Sequence, residues 1–389
     1  MKREPISGIQ PSILRWARQS MGLSVPDVAH ALKKPASAIE AWEGGTDAPT
    51  YVELEKLAYA VYKRPLAIFF LPSPPVEVPP IREFRTLPDT DLASLAADTH
   101  LHIRRAHAYQ LALRELFDRP PNERNIWRSL GLTVHASLPA QAQAVRDYLG
   151  ITLERQTAWR SDELALKHWR ESVENAGVFV FKAAFRQKDV SGFCLMDQNF
   201  PLIYLNNSTT KTRQTFSLLH ELAHLLLSMN GLSKFDTRYV DRLAPPERRV
   251  EQFCNGIAAE MLMPAEDFAA QTARFPAEVE RATEQQFAEL ATRYAVSREV
   301  VLRRFLDQGQ VSKSFYEQKA KQWAAQRKAT KGGDWYASQN AYLSERFAQE
   351  VVRRHYRNQL SLEQASEFLG IKPKNFAGLE QRILQGADA

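Results

Sequence analysis

The residues best suited to chemistry form one short run, His220-Glu221-Leu222-Ala223-His224. In a helix, side chains four apart lie on one face, one turn up. His220 and His224 can therefore offer two imidazole nitrogens to one divalent ion, at about 2.0–2.1 Å each for Zn²⁺. Glu221 stands beside them and can reach a water on that ion. Zinc lowers the pKa of such a water toward about 7, and a carboxylate can take its proton as it attacks a carbonyl. Polar residues here need a reason, because Leu218, Leu219, Leu222, Leu225, Leu226 and Leu227 surround them. Glu251, 27 residues past His224, is the candidate third ligand, which leaves the fourth position open. Asn255, four residues on, can accept a hydrogen bond from the free ring nitrogen of a ligating histidine. Glu260 is the competing acid.

These residues need a frame. The motif reads as part of an apolar helix from Ser208 to Asn230, with Gly231 as its C-cap. A second helix spans about Pro246 to Leu262 and stops at Pro264. Upstream, residues 178–206 change period: VFVFKAAF, VSGFCLMD and LIYLN read as three strands. Before them, LHIRRAHAYQLALRELF and QAQAVRDYLG read as helices, the latter ending at Gly150. Residues 9–71 read as a compact all-helical unit: a first helix stopping near Gly22, a second capped by Ser24, and a third opened by Pro35 and stopped by Gly44-Gly45. A fourth follows Pro49-Thr50, and a short fifth opens at Arg64-Pro65. Five prolines within residues 72–80 exclude a helix there and mark a linker. The tail from 311 to 389 is helical and basic, with 13 Lys/Arg against 8 Asp/Glu, and Lys331-Gly332-Gly333 breaks it. Its segment SLEQASEFLGI faintly echoes SVPDVAHAL near residue 28. The fold class expected is thus a mainly α multidomain chain. Its parts are an all-α unit (1–71), a proline-rich linker (72–87), an α+β domain with a small sheet (88–310) and a helical C-terminal domain (311–389).

Other candidate groups carry less. His100, His102 and His107 lack the four-residue spacing of a one-turn metal clamp, and Arg104 and Arg105 repel a cation, so they read as a solvated helix face. Cys194 and Cys254 are too few for a disulfide framework and read as small buried hydrophobes. The 389 residues are 44% hydrophobic and 25% charged, which excludes wholesale disorder and fibrous repeats. No apolar run reaches the roughly 20 residues of a membrane helix, and MKREPISGIQ has no apolar stretch of a secretory signal. A cytoplasmic protein without a membrane partner is expected. The net charge of +6 permits a polyanion partner without demanding one.

Four runs together, VSGFCL (190–195), LIYLN (202–206), RQTFSLLHELAHLLL (213–227) and EQFCNGIAAEMLMP (251–264), resemble the ImmA/IrrE family of zinc metallopeptidases. The likeness covers about residues 175–300; Cys254 stands where that family usually has alanine. It implies a zincin-like, gluzincin-type metalloendopeptidase. His220, His224 and Glu251 would hold one Zn²⁺ (Mn²⁺ or Fe²⁺ being alternatives), with Glu221 as general base. The substrate would be a repressor or antitoxin, from a neighbouring gene, cut to release transcription in a stress, mobile-element or phage response. Residues 9–71 resemble the phage-repressor-like (XRE-type) helix-turn-helix, through Leu23-Ser24, Asp27-Val28-Ala29, Ile39, Trp42-Glu43-Gly44, Pro49-Thr50 and Leu57-Ala58. Phe69-Phe70-Leu71-Pro72, Phe84-Arg85-Thr86 and the tail from GGDWY to GIKPKNF resemble parts of chains that fuse the two modules.

The strand Leu202–Asn206 is expected beside the cleft, with Tyr204 and Asn206 binding substrate by strand addition. No residue is assigned to the oxyanion; nothing in the sequence argues for Tyr204 or Tyr239 there. For DNA, Ser37 is the one base-contacting candidate at the start of the third helix, with Lys33, Lys34, Arg15 and Arg18 near phosphate. Residues 1–71 carry nine basic and seven acidic side chains, which is thin for a DNA reader. Lys313, Lys319, Lys321, Arg327, Lys328 and Lys331, interleaved with Phe315, Tyr316 and Trp323, form either a second nucleic-acid contact or a solvated amphipathic face. A regulator using the peptidase fold as a sensor or homodimerisation body is the alternative function.

Overall fold

The computed structural model describes residues 4–77, 80–84, 86–117, 124–234, 237–325 and 335–387. The chain divides into one compact unit of Met1–His107 with Phe185–Gln187, and another of Ala108–Ala184 with Lys188–Ala389.

In the first unit, helices span Pro11–Gln19, Val25–Leu32, Ala36–Gly44 and Tyr51–Glu55. Their ends follow the chemistry of their sequence. Ser24 and Asp27 form a reciprocal capping box, as do Thr50 and Glu53. Gly45 supplies the left-handed residue that ends the third helix. The fourth helix continues as a π-helical segment, Lys56–Val61, and Leu66–Phe70 is a 3₁₀ turn. Ile13, Leu14, Ala17, Val28, Ala29, Leu32, Ile39, Trp42, Leu54, Leu57 and Phe69 share one core. The proline-rich stretch differs from expectation at its end. Pro80–Glu83 is a short helix, because a proline at the first helical position forfeits no hydrogen bond; Phe84 behind it is fully buried.

The second unit holds a four-stranded mixed sheet, β1 (Phe179–Ala183), β2 (Val190–Leu195), β3 (Leu202–Asn206) and β4 (Gly231–Lys234), in the order β1-β3-β2-β4. β1 and β3 run parallel; β2 is antiparallel to both β3 and β4. β4 corrects the expectation of a C-cap at Gly231. The motif helix runs only from Lys211 to Leu226, Ser228 takes the left-handed turn, and Gly231 opens a strand. Every residue of β1, β2 and β3 is buried, which explains their apolar composition on both faces.

The motif helix packs against β2 and β3, the helix Asp162–Asn175 and the next helix, Pro245–Leu262. Arg146 fixes the far end of that next helix from the core. Its guanidinium donates to Gln156 Oε1 (2.7 Å) and to the Met261 carbonyl, while Gln156 Nε2 donates to the carbonyls of Leu262 (2.8 Å) and Tyr294 (3.0 Å). The unsatisfied carbonyls at the helix end are thereby taken up without water.

Helices Lys313–Ala325, Trp335–Tyr342, Glu345–Tyr356, Leu362–Phe368 and Phe376–Ala387 follow. Trp323 is buried and its indole N–H donates to Glu284 at 2.6 Å, so it stacks on no base. Phe315 and Tyr316 pack against the same core. Arg327, Lys328, Lys331, Arg85 and the Lys331-Gly332-Gly333 break lie outside the described residues. Among the described residues, no helix is long and apolar enough to cross a membrane.

Candidate metal centre

His220, Glu221 and His224 project from the buried side of the motif helix; His220 is 3% exposed and the other two are fully buried. The helix Pro245–Leu262 brings a fully buried Glu251 to the same point. His220 Nε2 lies 3.0 Å from His224 Nε2, His224 Nε2 3.0 Å from Glu251 Oε1, and His220 Nε2 3.5 Å from Glu251 Oε2. Three donors on one tetrahedral ion at about 2.0–2.1 Å stand about 3.3 Å apart. The spacing therefore suits a small divalent cation, and these three residues alone form such a cluster among the described residues. Among the described residues, neither of the buried Glu221 carboxylate oxygens finds a hydrogen-bond partner, an expensive arrangement for a purely structural acid.

Electrostatics agrees with the geometry. Burial pushes the Glu251 carboxyl up, but His224 and His220 outweigh it and hold the group well below the ordinary carboxylate range. Burial lowers His220, but Glu251, Glu221 and Asn255 outweigh it and raise the ring. The trio keeps a carboxylate charged in the core, as a ligand must be.

Asn255 lies at the His220 ring and favours its charged form. Cys254, expected as a small buried hydrophobe, is buried and places Sγ 3.6 Å from His224 Nδ1, where the outer partner of a ligating histidine belongs. Burial, then the charge of Glu251, pushes its thiol well up, so it stays neutral. Glu260 drops out as a competing ligand: it pairs with Arg304 and accepts from the Ala265 N–H at 2.7 Å. Tyr239, for which no spacing argues, is buried and donates to Glu251 Oε2 at 2.6 Å. Burial and the charge of Glu251 raise its phenol well above normal, which keeps it a donor.

The expected substrate contacts at Tyr204 and Asn206 are corrected. β3 is paired on both sides, so no substrate strand can add to it. Tyr204 is buried and stacks on Phe193 at 5.1 Å; Asn206 donates to the Val190 carbonyl at 2.7 Å and accepts from the Ser208 N–H. The edge strand beside the trio is β4.

In the first unit, Lys33, Lys34 and Ser37 are exposed, with Lys34 Nζ 2.5 Å from Glu53. Arg18, expected on phosphate, is instead held by both oxygens of buried Glu43, at 2.7 and 2.8 Å. Arg15 donates to the Glu43 carbonyl at 2.9 Å. His102, expected on a solvated face, is buried against Phe185 at 4.4 Å.

Residues 173–306 match the family model of the IrrE N-terminal-like domain, Peptidase_M78. At the family level this is a metallopeptidase-type domain, and the match contains the motif helix, Glu251 and all four strands. No curated protein matches the chain.

Proposed function

We propose that this chain is a metal-dependent endopeptidase that cuts a protein substrate, a repressor or antitoxin, to control transcription, and that residues 9–71 are a helix-turn-helix module fused to it. The observation carrying the peptidase reading is the meeting of three donor atoms beside a buried carboxylate, Glu221, whose oxygens are left without a hydrogen bond among the described residues. His220, His224 and Glu251 would hold the ion, with zinc the expected metal. When bound, it supplies Lewis acidity and lowers the pKa of a water toward about 7. Glu221 takes the proton of the attacking water and passes it to the departing amine. Tyr239 keeps Glu251 oriented, and Cys254 occupies the outer nitrogen of His224. The leucines of the motif helix exclude bulk water, which strengthens each of these contacts. An extended substrate can join the sheet only at an edge, and β4 is the edge at the site.

Support for the N-terminal module is the capped helix pair Val25–Leu32 and Ala36–Gly44, held on Pro11–Gln19 by one core. The test is co-expression with the product of the adjacent gene. Loss of that protein's full-length band, restored by Glu221→Gln, supports the proposal. An unchanged transcriptional response in the Glu221→Gln strain favours a non-proteolytic regulator instead.

A further inference from the structure

Residues 360–379 repeat the register of residues 23–42 at a constant offset of 337, in burial and in hydrogen bonds. Val28, Ala29, Leu32, Ile39 and Trp42 are buried in the first segment; Ala365, Ser366, Leu369, Phe376 and Leu379 are buried in the last. The spacing of these five positions is identical. Ser24 caps the first segment's leading helix in a capping box with Asp27, and Ser361 does so with Gln364. Lys33 (φ 56°) and Gly370 (φ 68°) take the same left-handed turn.

The turns then close with corresponding bonds. Lys33 and Lys34 N–H donate to the carbonyls of His30 and Ala29, and Gly370 and Ile371 N–H to those of Glu367 and Ser366. Ala38 N–H donates to Pro35, and Asn375 N–H to Lys372. A helix precedes each segment and buries residues at matching intervals, Ile13, Leu14 and Ala17 against Phe347, Ala348 and Val351.

The surfaces of the two turns differ. Where the first offers Pro35, Ser37, Ala38 and Glu40, the second offers Lys372, Lys374, Asn375 and Ala377. Lys372, Lys374 and Ala377 are exposed and Asn375 is half-buried. In a helix-turn-helix, the residues opening the second helix meet the nucleic acid. The N-terminal copy places the Glu40 carboxylate there, with Ser37 as its one base-contacting candidate, and Lys34 in its turn is paired with Glu53. The C-terminal copy places two cations, which neutralise phosphates, and an amide able to pair bidentately with adenine.

We infer that residues 345–387 form a second helix-turn-helix, and that this copy, rather than the N-terminal one, docks on double-stranded DNA through Lys372, Lys374 and Asn375. The inference is independent of the peptidase reading, since none of its residues touches the metal trio.

The test uses the full-length chain. Duplexes selected from a random pool are titrated by fluorescence anisotropy against wild type, Lys372→Ala/Lys374→Ala, Asn375→Ala and Lys33→Ala/Ser37→Ala, with single-stranded DNA and duplex RNA of the same sequence alongside. Thermal melting confirms that the surface variants fold. The expected result is duplex DNA binding that falls at least 10-fold in the double lysine variant. Its log–log salt slope should also be shallower by about two, one per lost phosphate contact. Asn375→Ala should alter the selected sequence, and Lys33→Ala/Ser37→Ala should leave binding within about twofold. Absence of DNA binding, preference for RNA or single strands, or loss confined to the Lys33/Ser37 variant would each overturn it.

Discussion

The ring of His224 lies so close to the backbone at Gly231 that a β-carbon there would stand 2.5 Å from its Cδ2 and 2.8 Å from a Glu221 carboxylate oxygen. The first strand-edge residue after the motif helix is therefore a wall of the metal site. Gly231 donates its N–H to Cys194 Sγ at 3.2 Å, which ties that wall to β2. Only glycine lets strand, imidazole and carboxylate share the space.

Gly231→Ala should accordingly displace the His224 ring or β4. We expect metal affinity to fall about 10- to 100-fold, the range for changes that disturb ligand orientation. Competition with a chromophoric chelator measures it; an unchanged affinity would show that the wall yields freely.

Tyr239→Phe removes the hydrogen bond to Glu251 Oε2 and little volume. Metal affinity should drop about 10-fold with the melting temperature nearly unchanged. A large loss of stability with metal affinity intact would mark Tyr239 as a packing residue only.

His220, Glu221 and His224 were legible because helical spacing brings the two histidines together and the apolar setting makes Glu221 conspicuous. Glu251 was legible only as one of two acids, and the structure separates them: Glu260 is spent on Arg304 and a backbone N–H. Tyr239, Gly231 and Cys254 act through contacts between elements far apart in sequence, for which periodicity carries no signal. The strands β1–β3 announced themselves by composition, but their order did not. Placing β3 in the middle is what removes Tyr204 and Asn206 from the surface. β4 was hidden because a glycine after a helix reads equally well as a cap. In the first unit the caps at Ser24 and Thr50 were readable, whereas the partnership of Arg18 with Glu43 depends on two helices crossing.

Arg146→Ala should destabilise the second unit by about 3 kcal/mol, through a cavity against Trp169 and unpaired carbonyls at the end of the Glu251 helix. Chemical denaturation followed by tryptophan fluorescence reads this. A loss below about 1 kcal/mol would mean that the carbonyls find other donors.

Lys182 sits in β1 with 6% of its surface exposed. Burial, then the charges of Arg170 and Lys211, lowers its pKa well below normal despite Glu174 and Glu163. Because the folded state disfavours the charged amine, its cost is full at low pH. It fades as pH rises toward the ordinary lysine value of about 10.4. Lys182→Met should therefore raise the melting temperature at pH 7, with the gain shrinking by pH 10. A gain that grows with pH would contradict the assignment.

The most direct test of the account is the metal content of the purified full-length chain, measured by inductively coupled plasma mass spectrometry after incubation with zinc and desalting. Wild type and Glu221→Gln should each retain about one ion per chain, and His224→Ala and Glu251→Gln close to none. A metal-free wild type, or a stoichiometric ion that survives His224→Ala, would contradict it.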